Sequence, residues 1–569
     1  MYKFRINKIT VNTSEGNKEI IPKSVNVIVG PNNSGKSRFL KELRDILSGD
    51  MKDIKIIDDI DFLFPDTFGN IDEAYDVKNK MVQDQYGNWM LKVYSNKSTQ
   101  MFDMSMSLEN YFTKNVNTIS GNWKQYFEDV VSRRHKEEFF RYFGSLFFQY
   151  LGTEERLTIC KSQRNYGLNS NNINYLSSFK FKNELLENLA VKVKSLFHKD
   201  IYLDTQTLGE QLVFRVGNNF DYIKDSSILS GNLAIRLFSE EMLDNQGDGL
   251  KSFVSTFLAL NYIENDVLLL DEPEAFLHPP LARQLGELIG SFSCKESSIF
   301  VATHSVEILK GILSKCDDVN VIRITRNGNC DNDIMQLNQS ILNSILQNPL
   351  LRVSRVLEGI FCEKVIITEA ESDELVFQEL IDKIKPESGL FFAHGQNKQT
   401  LVQIARLYQE IGVKYEIITD FDVMRVSHDL SNFLKLMPME QSEREKIIKY
   451  ADNLRSIIEN SIDISGMADE EVEKHRKKIR DEVYHKIGIN YFEPDMQLKI
   501  NKTLNLLSGF HLHIIETGEL ETILEEFGLP YEDKKNWIVQ ALEKISGFQQ
   551  EDITQQSKLF HFINKIINA

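Results

Sequence analysis

Val25-Asn-Val-Ile-Val29, running directly into Gly30-Pro-Asn-Asn-Ser-Gly-Lys-Ser37, is the stretch whose reading decides the fold. The β-branched run reads as a short strand, and Arg38 to Leu47 carries apolar residues at helical spacing, so the glycine-bounded segment is the turn between them. That turn satisfies G-x-x-x-x-G-K-[ST]. Its glycines let backbone N–H groups converge on phosphate oxygens at a helix N-terminus, where Lys36 reaches the β and γ phosphates and Ser37 offers a hydroxyl to magnesium. Gly30, Asn33, Gly35, Lys36 and Ser37 are therefore the candidate nucleotide-binding residues.

Working outward, the chain changes character between about Met51 and Leu237. Aromatic- and charge-rich helical patterns (Asn110 to Leu151, Lys180 to Phe197) alternate there with Asn- and Ser-rich stretches such as Gly167 to Ser178. This stretch reads as an insertion, largely helical. Nucleotide chemistry resumes at Asp244: Gly247-Asp-Gly249 opens an apolar helix, and Asp266-Val-Leu-Leu-Leu270 runs as a buried strand into Asp271-Glu272. Asp271 can hold magnesium through water while Glu272 polarises the attacking water. Ser298 to Ala302 forms the next strand, and His304, just beyond it, is placed to sense a γ phosphate.

These pieces, in this order, resemble the ABC-type ATPase head shared by chromosome-maintenance and double-strand-break-repair ATPases. Glu274-Ala-Phe-Leu-His-Pro279 adds the likeness of a DEPE…LHP signature. The resemblance implies ATP with magnesium as cofactors, and Gly247-Asp-Gly249-Leu-Lys-Ser252 at the position of the signature loop. It also implies a homodimer or higher homo-oligomer, with Gly249 closing over nucleotide held by another copy and the insertion taking part in dimerisation. The signature departs from the usual Ser-Gly-Gly-Gln, and Gln163 is the candidate for the glutamine loop.

A second α/β segment begins near Phe361. Lys364 to Thr368 is a strand ending at Glu369, a helix follows over Ser372 to Ile384, and Lys414 to Thr419 is a strand ending at Asp420-Phe-Asp422. Acids at successive strand ends of a parallel sheet gather on its carboxyl edge. Glu369, Asp373, Asp420 and Asp422 would repel one another unless divalent ions neutralise them, so magnesium or manganese is the economical occupant. Two ions about 4 Å apart would activate water and stabilise the leaving oxygen of a phosphodiester. The arrangement resembles a Toprim domain, although that family usually carries glycine where this chain has Ala370.

An ABC-type head followed by a Toprim segment resembles the OLD (overcoming lysogenization defect) family, which includes the nuclease subunit of the Gabija antiviral system. The likeness spans nearly the whole chain, except that 51–237 and the helical stretch 423–500 carry no matching motif. Gly395-Gln-Asn-Lys398 resembles the family's glycine-lysine turn. Gly518-Glu519-Leu-Glu521 resembles a late acidic motif completing the metal site, and Lys558 resembles a carboxy-terminal catalytic lysine. The expected architecture is α/β: an ABC-type P-loop ATPase domain over 1–350, then a Toprim domain with helical additions over 351–569. The resemblance implies an ATP-binding, metal-dependent DNA endonuclease of anti-phage defence, acting alone or beside a helicase or a retron reverse transcriptase with its retron DNA. The alternative is a non-cleaving ATP-driven DNA clamp or sensor with an inactive Toprim segment.

Composition bounds these readings. At 569 residues the chain holds several domain-sized units, and 42% hydrophobic with 26% charged residues is the balance of a globular protein. A net charge of -17 argues against a surface that coats nucleic acid generally, leaving local patches such as Arg133 to Lys136 and Lys474 to Arg480. The 5 cysteines include no C-x-x-C pair, so no zinc site or disulfide framework is indicated. No apolar run reaches the roughly 18 residues of a membrane span, and a cytoplasmic location is expected.

Overall fold

The computed structural model describes residues 2–83, 89–91, 121–165, 175–224, 231–261, 266–292, 297–326, 332–337, 355–386, 388–464, 469–529, 534–548 and 557–568. The chain divides into two units, Met1–Gln336 and Leu337–Ala569.

The first unit is built on a six-stranded sheet. Its order is Asn332–Gln336, Val319–Arg326, Val25–Val29, Ser298–Ala302, Val267–Asp271 and Phe148–Leu151. All neighbours pair in parallel except the antiparallel edge strand Asn332–Gln336. Val25–Val29 and Val267–Asp271 are buried at every position, which is why they are mostly apolar, Asn26 and Asp271 apart, rather than alternating. Ile28 and Asp271 both register with Ala302, so the phosphate loop, the Asp271-Glu272 pair and Thr303-His304 leave the sheet at one edge. Helix Lys36–Leu47 buries Phe39, Leu40, Leu43, Ile46 and Leu47, a helical stripe that holds the loop against the sheet. A separate antiparallel sheet is formed by Gly16–Ile20, Ile6–Thr13 and Ile57–Phe62.

The 51–237 stretch carries the helices that its composition suggests, and it builds sheet as well. It supplies Ile57–Phe62 to the antiparallel sheet and Phe148–Leu151 to the edge of the main sheet, beside Val267–Asp271. It also supplies Gln163–Arg164, Asp200–Asp204 and Gln211–Gly217, three strands of a further sheet. Helices Trp123–Arg133 and Lys136–Phe147 are present, and their aromatics belong to the main core: Phe147 stacks on Phe4 at 4.7 Å and Phe140 packs on Phe62. The parts of the Asn110 to Leu151 and Gly167 to Ser178 patterns that fall on 110–120 and 167–174 lie outside the described residues.

The second unit is a four-stranded parallel sheet in the order Phe391–His394, Lys364–Thr368, Lys414–Thr419 and Leu512–Ile514. Helices Glu371–Ile384 and Lys398–Glu410 follow the first two strands of the chain order. Helices Gln441–Ser461, Asp469–Glu482 and Pro494–Ser508 occupy the interval before Leu512–Ile514. Helix Lys558–Asn568 buries Leu559, Ile563 and Ile566, one helical face, in the core formed by Ile366, Phe377, Leu380 and Ile418. Among the described residues, no helix is long and apolar enough to cross a membrane.

Candidate functional site

The phosphate loop is shaped by backbone that only certain residues adopt. Gly30 has φ +143°, and a Cβ there would lie 2.1 Å from the Ile324 carbonyl oxygen, so the loop's entry tolerates no side chain. Asn33 also has positive φ, and Gly35 turns the chain into the helix at φ +102°. Lys36, on the helix's first turn, donates from Nζ to the carbonyls of Gly30 (2.9 Å) and Pro31 (2.7 Å). Burial lowers its pKa to about 8 against the opposing pull of Glu272, Glu274 and Asp271. Ser37 is half-buried beside it.

The acidic turn faces this lysine. Asp271 is buried, its Oδ2 accepting from the Tyr150 hydroxyl at 3.0 Å, and its Oδ1 has no hydrogen-bond partner among the described residues. Glu272 has positive φ, and its Oε1 lies 3.4 Å from His304 Nε2. Burial, then the nearby Lys36 charge, lowers the His304 pKa. Glu274 accepts from Thr303 Oγ1 and the His304 N–H, both at 2.7 Å, while its Oε2 is buried without a partner among the described residues and burial raises its pKa. Two buried acceptor oxygens lacking donors, beside a lysine, suit magnesium and phosphate.

Three head residues need separate comment. Gly249 lies at the start of helix Asp248–Asn261, where a Cβ would meet the Phe276 carbonyl oxygen at 2.8 Å. Gln163 does not fit a glutamine loop: it is buried, Nε2 donates to the Ile159 carbonyl at 2.6 Å, and Oε1 accepts from the Leu176 N–H at 3.1 Å. Both ends of its amide brace the local chain. Arg156, which the sequence reading missed, is 1% exposed and donates to the carbonyls of Leu151, Asp271 and Glu272 and to Ser252 Oγ. It ties the acidic turn to the helix carrying Gly249. No motif announces it; its one signal is a position just beyond the edge strand.

In the second unit, ligand oxygens of Glu369, Asp420 and Asp422 all lie within 4.8 Å of one another. Parallel strands Lys364–Thr368 and Lys414–Thr419 end side by side, which delivers Glu369 and Asp420 to one edge. Glu369 Oε1 accepts from Thr419 Oγ1 and from the Asp420 N–H at 3.3 Å. Burial pushes the Asp420 pKa well up, and Glu369, Asp373, Asp422 and Glu519 push the same way. Asp373 accepts the Ala370 N–H at 3.1 Å; burial, then Glu521 and Glu369, raises its pKa to about 6. Glu519 Oε1 lies 2.8 Å from His485 Nδ1. The six acids named from the sequence thus share one electrostatic environment.

Two details differ from the sequence reading. Ala370 adopts φ -125° and ψ 163°, an extended conformation open to any residue, so glycine is not needed there. Lys558 is exposed on the first turn of its helix, and no hydrogen bond or ion pair joins it to Glu369, Asp420 or Asp422. The lysine found among these acids is Lys398: its Nζ lies 3.1 Å from Glu369 Oε2 and 2.8 Å from Asp422 Oδ1. The cluster itself, all oxygen and closely spaced, has the donor chemistry of a magnesium or manganese site.

A P-loop sheet followed by a parallel sheet with clustered acids at its carboxyl edge defines the class: an ATPase head joined to a Toprim domain. Family models agree. One described as "AAA domain, putative AbiEii toxin, Type IV TA system" matches residues 123–310, beginning inside the supposed insertion, and one described as "Overcoming lysogenization defect protein-like, TOPRIM domain" matches 360–422. In these regions the chain is similar to the OLD-family nucleases. It is 23% identical to the Old nuclease of Escherichia phage P2 over 171 residues, 28% of this chain and 28% of that protein. It is 22% identical to Endonuclease GajA of Bacillus cereus (strain VD045) over 283 residues, 42% of this chain and 45% of that protein. The matches therefore span less than half the length of either relative. Among solved structures, the SMC head domain from Thermotoga maritima is 14% identical, with a TM-score of 0.30, covering 59% of this chain and 99% of that one.

Proposed function

We propose that this chain is an ATP-binding, divalent-metal-dependent DNA endonuclease acting in anti-phage defence. The observation that carries the proposal is the convergence of Glu369, Asp420 and Asp422 within 4.8 Å. These three would hold the metal, with Asp373, Glu519 and Glu521 completing the negative field. Bound divalent ions supply an activated water and charge stabilisation at the leaving oxygen of a phosphodiester. Thr419, donating to Glu369, fixes the orientation of that carboxylate. Lys558 remains the proposed assisting lysine, reaching the substrate rather than the acids. In the head, Lys36, Ser37 and Asp271 would hold ATP with magnesium, Glu272 orient the attacking water and His304 sense the γ phosphate. Gly249 would act on nucleotide held by a second copy, in a homodimer or larger homo-oligomer. The helicase and reverse-transcriptase settings rest on the family resemblance alone.

Incubation of supercoiled plasmid with the full chain, magnesium or manganese, and ATP present or absent tests the proposal. Nicking or linearisation that is lost in Glu369→Ala and Asp420→Asn is expected; plasmid left intact under every condition counts against it. The rival, a non-cleaving ATP-driven clamp, predicts that Glu369→Ala keeps biological activity while Lys36→Ala abolishes it. Extended backbone at Ala370 weakens one argument for that rival, because the chain's conformation there does not call for glycine.

A further inference from the structure

Lys398 is anchored more firmly than a surface lysine. It opens helix Lys398–Glu410, whose cap, Asn397, accepts from the Thr400 N–H (2.9 Å) and Thr400 Oγ1 (2.8 Å). The preceding turn is pinned as well: the Gly395 N–H donates to the Thr368 carbonyl at 3.0 Å, beside the start of the acidic site, and Gln396 takes positive φ. A Cβ on Gly395 would come within 3.0 Å of the Leu401 backbone nitrogen, so this turn is packed against its own helix. From that fixed base the side chain, 17% exposed, reaches across two elements to Glu369 and Asp422.

Three carboxylates gathered within 4.8 Å repel one another. The ammonium group sits 3.1 Å from Glu369 Oε2 and contacts both oxygens of Asp422, at 2.8 and 3.0 Å, and so engages two of the three carboxylates of the cluster. Burial works against a charged lysine here, yet the two carboxylates hold its pKa above the ordinary range. One positive charge in place of a divalent ion leaves the cluster under-neutralised, and an ammonium and a divalent cation drawn to the same carboxylates repel each other.

We propose that Lys398 is a built-in counter-ion that competes with the divalent cation for Glu369 and Asp422, so that metal entry must release its ammonium group. The inference rests on the metal-site reading above. It sets a threshold: the acidic edge keeps its shape without metal, and metal binds only at the cost of breaking the lysine's ion pairs. Once released, the ammonium stays tethered within one side-chain length of the site.

Manganese titration of the full-length chain by calorimetry, with thermal melting in chelator and in saturating manganese, tests this. Lys398→Met is expected to bind manganese about tenfold more tightly than wild type. It should also melt lower than wild type in chelator, with the gap closing once manganese is saturating. Lys398→Arg, which keeps the charge, should bind close to the wild-type value. If Lys398→Met does not fold without metal, Lys398→Gln carries the same titration. Manganese bound by both wild type and Lys398→Met with equal affinity, or more weakly by the variant, overturns the counter-ion while leaving the metal site standing. A wild-type chain that binds no manganese removes the metal site itself, and with it the competition.

Discussion

Arg156 and Lys36 are both buried cations beside the same acidic turn, yet only one of them can be read from the sequence. Lys36 belongs to a contiguous loop whose shape is set by local glycines, so its role is written in eight consecutive residues. Arg156 reaches carbonyls 115 and 116 residues further along the chain, and only the tertiary fold brings them together. Lys398 is an intermediate case: the turn holding it is recognisable, but its contacts with Glu369 and Asp422, 29 and 24 residues away, are not. Removing the Arg156 guanidinium strands the carbonyls on either side of Glu272. Arg156→Leu is therefore expected to destabilise the head by about 3–5 kcal/mol, read by denaturant unfolding. Arg156→Lys, with a positive charge but no fork of donors, should retain nucleotide binding within about twofold while ATP turnover falls about 10- to 100-fold through a misplaced Glu272. Equal loss of binding and turnover would mean that Arg156 supports the whole pocket rather than the acidic turn.

At the level of single elements, what the sequence revealed depended on length. Helix Lys558–Asn568 shows its apolar face over three turns, whereas Phe148–Leu151 spans four residues following an aromatic helix and offers no period to detect. The strand Lys414–Thr419 carries a charge that no periodicity explains. Glu416, 2% exposed, lies 3.2 Å from Lys364 Nζ, 3.1 Å from His511 Nδ1 and 2.8 Å from His513 Nε2, linking three strands of the second sheet. Burial alone would raise its pKa, but hydrogen bonds from His511 and His513 and the Lys364 charge hold it down at about 2. A depressed carboxylate stabilises the fold above its unfolded value, 4.5, and that stability drains away as pH falls from 4.5 toward 2. His511 is shifted the opposite way, upward from 6.5 by Glu416, so its contribution is complete below 6.5 and is lost as pH rises through the raised value. Glu416→Gln should lower stability by about 3–5 kcal/mol between these limits and flatten the acid side of the stability profile. Thermal melting across that pH range measures both effects; an unchanged acid limb would assign the loss to another carboxylate.

For the molecule as a whole, one device occurs twice: a parallel sheet delivers acids to its carboxyl edge in Met1–Gln336 and again in Leu337–Ala569. Both edges were readable because each acid directly follows an apolar run; the role of 51–237 was not, because its strands find partners far away in sequence. A net charge of -17 then governs how such a chain meets a polyanion. Attraction has to be local, and part of the densest basic run is already spent: Arg480 pairs with Glu459 at 3.0 Å and Glu473 at 2.7 Å. Lys474, Lys477 and Lys478 remain exposed on helix Asp469–Glu482. If DNA follows this helix, reversing Lys477 and Lys478 to Glu should weaken binding about tenfold or more at low salt and reduce the dependence of log affinity on log salt by about 2. Gel-shift titration at several salt concentrations reads that slope, and a slope equal to wild type would place the DNA elsewhere. Glu369→Ala supplies the contrast, since it should stop cutting while leaving both the slope and ATP binding in place. Lys36→Ala should lose ATP binding with the slope unaltered, which separates the two edges as independently breakable parts of one chain.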